Sequence, residues 1–128
     1  MFSHIEHPDV VVVLDDSLLE CADPTAGLKP GGWLIINSHL EPAAFAFEDG
    51  EVGPFAVATA DASHAAKESD LIVAGAVMVN TAMLGAFARV TQLVSLEHIR
   101  RVIEKKFRPA AARKNFEAAR LTYDRTLF

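Results

Sequence analysis

The stretch VNTAMLGAFARVT (79–91) is almost entirely small or apolar, yet it opens on an Asn-Thr pair and carries a lone Gly85. It admits three readings with different folds: a membrane segment, a glycine loop around a cofactor, or a buried helix. A bilayer span needs about 20 consecutive apolar residues, and polar interruptions cut this run short. Its apolar positions recur at steps of three and four, through Val79, Ala82, Met83, Ala86, Phe87 and Val90, which defines one helix face. Asn80 or Thr81 stands where a side-chain oxygen can accept the first-turn N–H groups as a cap. Gly85 inside a helix costs about 1 kcal/mol relative to Ala, and close approach by another backbone is the usual compensation. The spacing therefore predicts a helix packed tightly on a sheet or on a second subunit.

Downstream, Ser95 is placed to cap LEHIRRVIEKKF, whose apolar face is Leu96, Ile99, Val102, Ile103 and Phe107. Arg108-Pro109 ends it, and a last helix over about 110–124 presents Phe116, Ala119 and Tyr123. Upstream, Leu71 to Val79 is apolar around Gly75 and reads either as a strand or as the start of the following helix. FAVAT (55–59) is a short strand leading to Asp61, the expected cap of a small-residue helix through Ala62, Ala65 and Ala66. Residues 41–54 carry Pro42, Gly50, Gly53 and Pro54 and read as loop, with a short helical turn at Ala43 to Phe47. Pro30-Gly31-Gly32 makes a tight turn before the strand Trp33 to Ile36. VVVVL (10–14) is apolar at every position, as a central parallel strand covered on both faces is. A short helix capped by Asp16 or Ser17 is expected over Ser17 to Cys21. The pattern predicts a single domain over residues 1–128 of the α/β class: three-layer α/β/α with a mostly parallel central sheet.

Of the 128 residues, 51% are hydrophobic and 23% charged, a globular balance. A net charge of −5 argues against nucleic acid as a partner. Basic residues nevertheless gather late, at Arg100, Arg101, Lys105, Lys106, Arg108, Arg113 and Lys114. They form either a solvated helical face or a surface for an acidic partner. The single Cys21 excludes an internal disulfide and a cysteine-ligated cluster within this chain, and suits a reducing cytoplasm. In its acidic, loop-like setting it reads as inert rather than nucleophilic. MFSHIEHPD has no basic region followed by an apolar core, so no signal peptide is expected, and no membrane association either.

Gly31-Gly32 precedes a strand, whereas a dinucleotide loop follows one and opens a helix, so the pair reads as a turn. His4, His7, His39, His64 and His98 lack metal-ligand spacing. With parallel strands, Asp15 and Asp16, Asn37 and Ser38, and Thr59 and Asp61 all gather at the carboxyl edge, where open α/β sheets bind ligands. Helices also start at that edge, so capping alone accounts for these residues as well as capping with ligand contact does. No nucleophile–base pair is evident.

Taken together, PDVVVVLDDSLL (8–19), GLKPGGWLIINS (27–38), VATADA (57–62) and NTAMLGAFARVTQLVSLEHIRRVIEKKF (80–107) resemble successive blocks of one family. It is the gamma subunit, or gamma domain, of 2-oxoacid:ferredoxin oxidoreductases of the pyruvate synthase type. NFEAARLTYD (115–124) is similar to that family's closing helix, so the resemblance covers most of the chain. The family's gamma domain usually begins with a GRGGQG-type segment ahead of PDVVVV, and the resemblance thus implies an N-terminally shortened domain. It further implies a thiamine diphosphate-dependent oxidative decarboxylation of a 2-oxoacid to an acyl-CoA, with electrons passing to ferredoxin. Thiamine diphosphate, Mg and [4Fe-4S] clusters are implied in alpha, beta and delta-type partner subunits, with coenzyme A as co-substrate. The isolated chain is then expected to be inactive. Asn37 and Ser38 match the edge that the resemblance associates with coenzyme A, and are the expected ligand contacts. Two alternatives stay open: a non-catalytic assembly module, and a gamma-like subunit of an indolepyruvate-type enzyme. A nucleotide-binding module of the Rossmann type is disfavoured by the missing glycine fingerprint.

Overall fold

The computed structural model describes residues 10–15, 31–45, 56–73, 76–77 and 79–128. Three parallel strands form the sheet: β1 (Val10–Val13), β2 (Trp33–Asn37) and β3 (Ala56–Ala60), in the order β1-β2-β3. Val10 pairs with Trp33 and Trp33 with Ala56, so the three strands run in step. The parallel sheet and the α/β class are as expected. Among the described residues β2 is the middle strand and VVVVL lies beside it, and Leu34, Ile35 and Ile36 are fully buried on the two faces of β2. Among the described residues β1 pairs with β2 alone, and its Val12 is 38% exposed.

The helices are α1 (Ala62–Glu68), α2 (Asn80–Thr91), α3 (Leu96–Lys106) and α4 (Pro109–Arg125). One face of the sheet, carrying Ile35, Ala58 and Ala60, joins Ala62 and Ala66 of α1, Ala82, Met83 and Ala86 of α2, and Ala118 of α4 in one core. The alanines are the reason these layers close: small side chains let helix axes approach the sheet and one another. α3 packs outside, its Ile99 and Ile103 meeting Ala88 of α2 and Ala112 and Ala119 of α4. The opposite face of the sheet holds a separate cluster of Val13, Leu34 and Ile36, with Val11, Phe45 and Val57 against it. No described helix is long and apolar enough to cross a membrane.

Gly85 is buried, and a Cβ there would lie 2.0 Å from the carbonyl oxygen of Ala119. The close approach demanded by the glycine is thus made by α4, neither by the sheet nor by a second subunit. The expected cap of α2 is corrected too. Val79 is the N-cap with no side-chain hydrogen bond, and Asn80 is already the first helical residue. Within Leu71 to Val79 the described residues include a small antiparallel pair, β4 (Ile72–Val73) and β5 (Ala76–Val77). The Asp61 and Ser95 caps form as expected: Asp61 accepts from the His64 N–H at 2.9 Å, and Ser95 from that of His98 at 3.1 Å. On α3 only Ile99 and Ile103 are buried, while Val102 and Phe107 face outward. Pro109 is the first residue of α4, where its missing N–H costs nothing. The helical turn expected at Ala43 to Phe47 is a 3₁₀ turn at Pro42–Ala44. The helix expected over Ser17 to Cys21 and its caps, with His4, His7, Asp16 and Cys21, lies outside the described residues.

The far edge of β3 meets Leu127 in one antiparallel bridge at Thr59. The Thr59 N–H donates to the Leu127 carbonyl at 2.9 Å and the Leu127 N–H returns the bond at 2.8 Å. Phe128 sits edge-on to Trp33 with centroids 5.8 Å apart, and the Arg89 guanidinium lies over both Phe128 and Tyr123.

Candidate functional site

Because β1, β2 and β3 are parallel and in register, their carboxyl ends open on one side. A cleft of about 500 Å³ lies there, lined by Leu14, Asp15, Asn37, Ser38, His39, Asp61, Ser63 and Val79. The chain thus brings together Asp15, Asn37, Ser38 and Asp61, four of the polar residues expected at this edge. Thr59 is not among them. It is fully buried one residue short of the end of β3, and its backbone is engaged by Leu127.

Asn37 ends β2, 8% exposed. Its Nδ2 donates to the Leu14 carbonyl at 2.9 Å and to Ser63 Oγ at 3.0 Å. Its Oδ1 accepts the N–H groups of Ala62 at 3.0 Å and Ser63 at 3.3 Å. A carboxamide has two N–H donors and one oxygen with two lone pairs, so all of its capacity is committed. These bonds join the end of β1, the end of β2 and the first turn of α1. With Asp61 taking the His64 N–H, three first-turn donors of α1 are satisfied by side chains. Asn37 is therefore the residue that holds the cleft in shape.

Ser38 is also buried, its N–H donating to the Ala60 carbonyl at 3.0 Å. Its hydroxyl oxygen accepts the Leu40 N–H at 3.1 Å, which turns the chain away from the sheet. The hydroxyl keeps its own proton to donate. His39 and Ser63 complete the polar lining and were not singled out from sequence. Ser63 carried a legible signal, as a first-turn residue two places after the Asp61 cap. His39 carried none beyond adjacency to Ser38.

Chemically the cleft offers hydroxyl and imidazole groups beside two carboxylates, Asp15 and Asp61, with no Lys or Arg in its described lining. Its described lining suits the neutral, hydrogen-bonding part of a ligand better than a polyphosphate, which needs cations or free backbone donors. Among the described residues no three His, Cys, Asp or Glu side chains converge as metal ligands.

Residues 2–125 match the family model for pyruvate ferredoxin/flavodoxin oxidoreductase. The chain is 40% identical over 125 residues to the pyruvate/ketoisovalerate oxidoreductases common subunit gamma of Thermococcus kodakarensis, covering 98% of this chain and 65% of that protein. It is 39% identical over 120 residues to pyruvate synthase subunit PorC of Methanothermobacter thermautotrophicus, covering 94% and 60% respectively. The crystal structure of pyruvate oxidoreductase subunit PORC from Thermotoga maritima matches with a TM-score of 0.76 at 34% identity, over 95% of this chain and 65% of that one. This chain thus spans a little under two-thirds of the length of these relatives. The family match along nearly the whole chain places it in the pyruvate ferredoxin/flavodoxin oxidoreductase family, in which the relatives it resembles are gamma subunits.

Proposed function

We propose that the chain serves as the gamma-type component of a thiamine diphosphate-dependent 2-oxoacid:ferredoxin oxidoreductase, and that its cleft forms part of the wall facing coenzyme A. The overall reaction is oxidative decarboxylation of a 2-oxoacid such as pyruvate to its acyl-CoA, with ferredoxin taking the electrons. The observation that carries this reading is identity to gamma subunits over 98% of the chain. Thiamine diphosphate with Mg, and the [4Fe-4S] clusters, belong in this proposal to alpha, beta and delta-type partners. A cluster needs four thiolates, and this chain has one Cys. The setting is cytoplasmic, and the chain alone is inactive.

At the cleft, Ser38 is the donor toward ligand and Asn37 the group that positions it. The neutral amide-bearing arm of coenzyme A suits this lining, and the phosphates of the nucleotide end would lie elsewhere, against cations of other subunits. The test is Ser38→Ala in the complex reconstituted with its partner subunits. Loss of one hydrogen bond to a neutral group raises the apparent KM for coenzyme A by about three- to tenfold, with the KM for the 2-oxoacid unchanged. An unaltered coenzyme A KM removes the ligand role of this edge.

A second reading, an assembly module without ligand contact, draws on a specific observation. Every hydrogen-bonding position of the Asn37 amide is spent within the fold, and the cleft has carboxylates where a phosphate would want cations. Under that reading Ser38→Ala leaves all kinetic constants unchanged while the complex still forms. Whether the complex acts on pyruvate or, as an indolepyruvate-type enzyme, on an aryl oxoacid is read from the same reconstituted complex supplied with each substrate.

A further inference from the structure

Ser63 lines the carboxyl-edge cleft, and the proposed function gives it no task. The hydrogen bonds around Asn37 decide what its hydroxyl has left to offer. The nitrogen and oxygen of a carboxamide are told apart by partners that have a single role. The Leu14 carbonyl can only accept, and it lies 2.9 Å from Nδ2. The N–H groups of Ala62 and Ser63 can only donate, and they lie 3.0 and 3.3 Å from Oδ1. All three agree, so Nδ2 is the donor atom, and Ser63 Oγ at 3.0 Å from it must accept. A hydroxyl that accepts from an amide is polarised and keeps its own proton to give. Ser38 is in the same condition, because the Leu40 N–H at 3.1 Å can only donate to its Oγ. Neither hydroxyl donates to another described residue.

The cleft therefore holds two hydroxyl donors, one beyond the end of β2 and one in the first turn of α1. The backbone N–H groups of that turn are taken by Asn37 and Asp61, so what the turn still offers a ligand is a hydroxyl. The acceptor these donors suit is uncharged. Asp15 and Asp61 share the lining, no Lys or Arg of the described lining offsets them, and they would repel a phosphate or carboxylate. We propose that Ser63 joins Ser38 as a ligand contact, its hydroxyl donating to the uncharged carbonyl oxygen of an amide. This assignment rests on the coenzyme A reading above, since the arm of coenzyme A carries amide carbonyls of that kind. Asn37 then has a second task beyond shaping the cleft: its Nδ2 leaves Ser63 the role of donor.

The test uses the complex reconstituted with its partner subunits. It is supplied with coenzyme A, and with analogues in which each amide of the arm in turn, CO–NH, is replaced by trans CH=CH. Ser63→Ala is expected to raise the apparent KM for coenzyme A by about three- to tenfold, the loss of one hydrogen bond between neutral groups. On one of the analogues the same substitution is expected to change KM by less than about twofold, because the carbonyl it would have bonded is already gone. Ser63→Ala also takes an acceptor from Asn37, and an effect of that structural kind weighs equally on every ligand. Equal penalties on coenzyme A and all analogues therefore overturn the proposal. Ser63→Cys, of similar size and a weaker donor, serves the same comparison should the Ala variant fail to assemble. A coenzyme A KM unchanged by Ser63→Ala but raised by Ser38→Ala overturns this inference and leaves the coenzyme A reading standing. No change from either substitution overturns both.

Discussion

At Gly85 two helix backbones meet where any side chain would stand between them. An added Cβ would lie 2.0 Å from the Ala119 carbonyl oxygen and 3.0 Å from the Tyr123 nitrogen, both rigid backbone atoms of α4. Ala improves intrinsic helix propensity at an interior position by about 1 kcal/mol, but here the helices must part, and overpacking costs about 1–3 kcal/mol. Gly85→Ala is thus expected to lower the urea midpoint despite the better helix former, and Gly85→Leu to lower it further. A midpoint raised by Ala would mean α2 and α4 yield freely. Asn37 is the other single residue on which much depends. Asn37→Ala strands the Leu14 carbonyl and the Ala62 N–H in a part-buried site, at an expected cost of about 2–4 kcal/mol. Amide exchange at Ala62 and Ser63 is expected to accelerate with it. That local exchange separates loss of this network from a general loosening.

The elements themselves follow from short-range rules, with two exceptions that teach more than the successes. Ser95 and His98 form a reciprocal capping box, with His in the place usually held by Glu or Gln. Ser95→Ala is expected to destabilise the chain by about 1 kcal/mol, checked by the denaturation midpoint. α2 begins without a side-chain cap although Asn80 and Thr81 were at hand. Val79 already has helical φ and ψ, so Asn80 is carried past the capping position. At its other end Gln92 occupies the left-handed region at φ 56°, where glycine is normally preferred. Gln92→Gly is expected to raise stability by about 0.5–1 kcal/mol, since relief of the αL cost outweighs the extra freedom of the unfolded chain. Thr91, Thr122 and Thr126 each donate to the carbonyl four residues before, which satisfies hydroxyls that period alone would have put in water.

Across the whole molecule, α4 is the element that holds the helical layer together. It meets Gly85 of α2, carries Ala112 and Ala119 against α3, and forms an ion pair with α1, Arg125 with Glu68, and another with the turn that follows α1, Lys114 with Asp70. The hydrogen bond from Arg125 holds the Glu68 carboxyl below its ordinary range, and Arg120 does the same for Glu117. Because both folded values are depressed, their stabilisation is present above the unfolded carboxylate pKa of about 4.3 and disappears as pH falls through the folded values. The urea midpoint is expected to hold between about pH 7 and pH 5 and to fall below about pH 4.5. Glu68→Gln with Glu117→Gln should flatten that fall. All four side chains are partly exposed, so added salt should weaken the contribution.

Residue order alone pointed to the α/β class and determined the caps at Asp61 and Ser95 and the break at Pro109, because each rests on neighbours within a turn or a strand. The parallel direction of the three strands depends instead on how the segments between them cross over. The same local spacing required something to lie close to Gly85 and set polar side chains at the strand ends. Only the tertiary structure decided what met them: α4 for the glycine, and for Asn37 a set of partners 23 to 26 residues away that spend its whole amide on the fold. It also decided that β2 lies between β1 and β3, that Thr59 bridges to Leu127, and that Val102 and Phe107 stay in water. Periodicity marks which side of an element is apolar, whereas the choice of what covers that side belongs to chain segments distant in sequence.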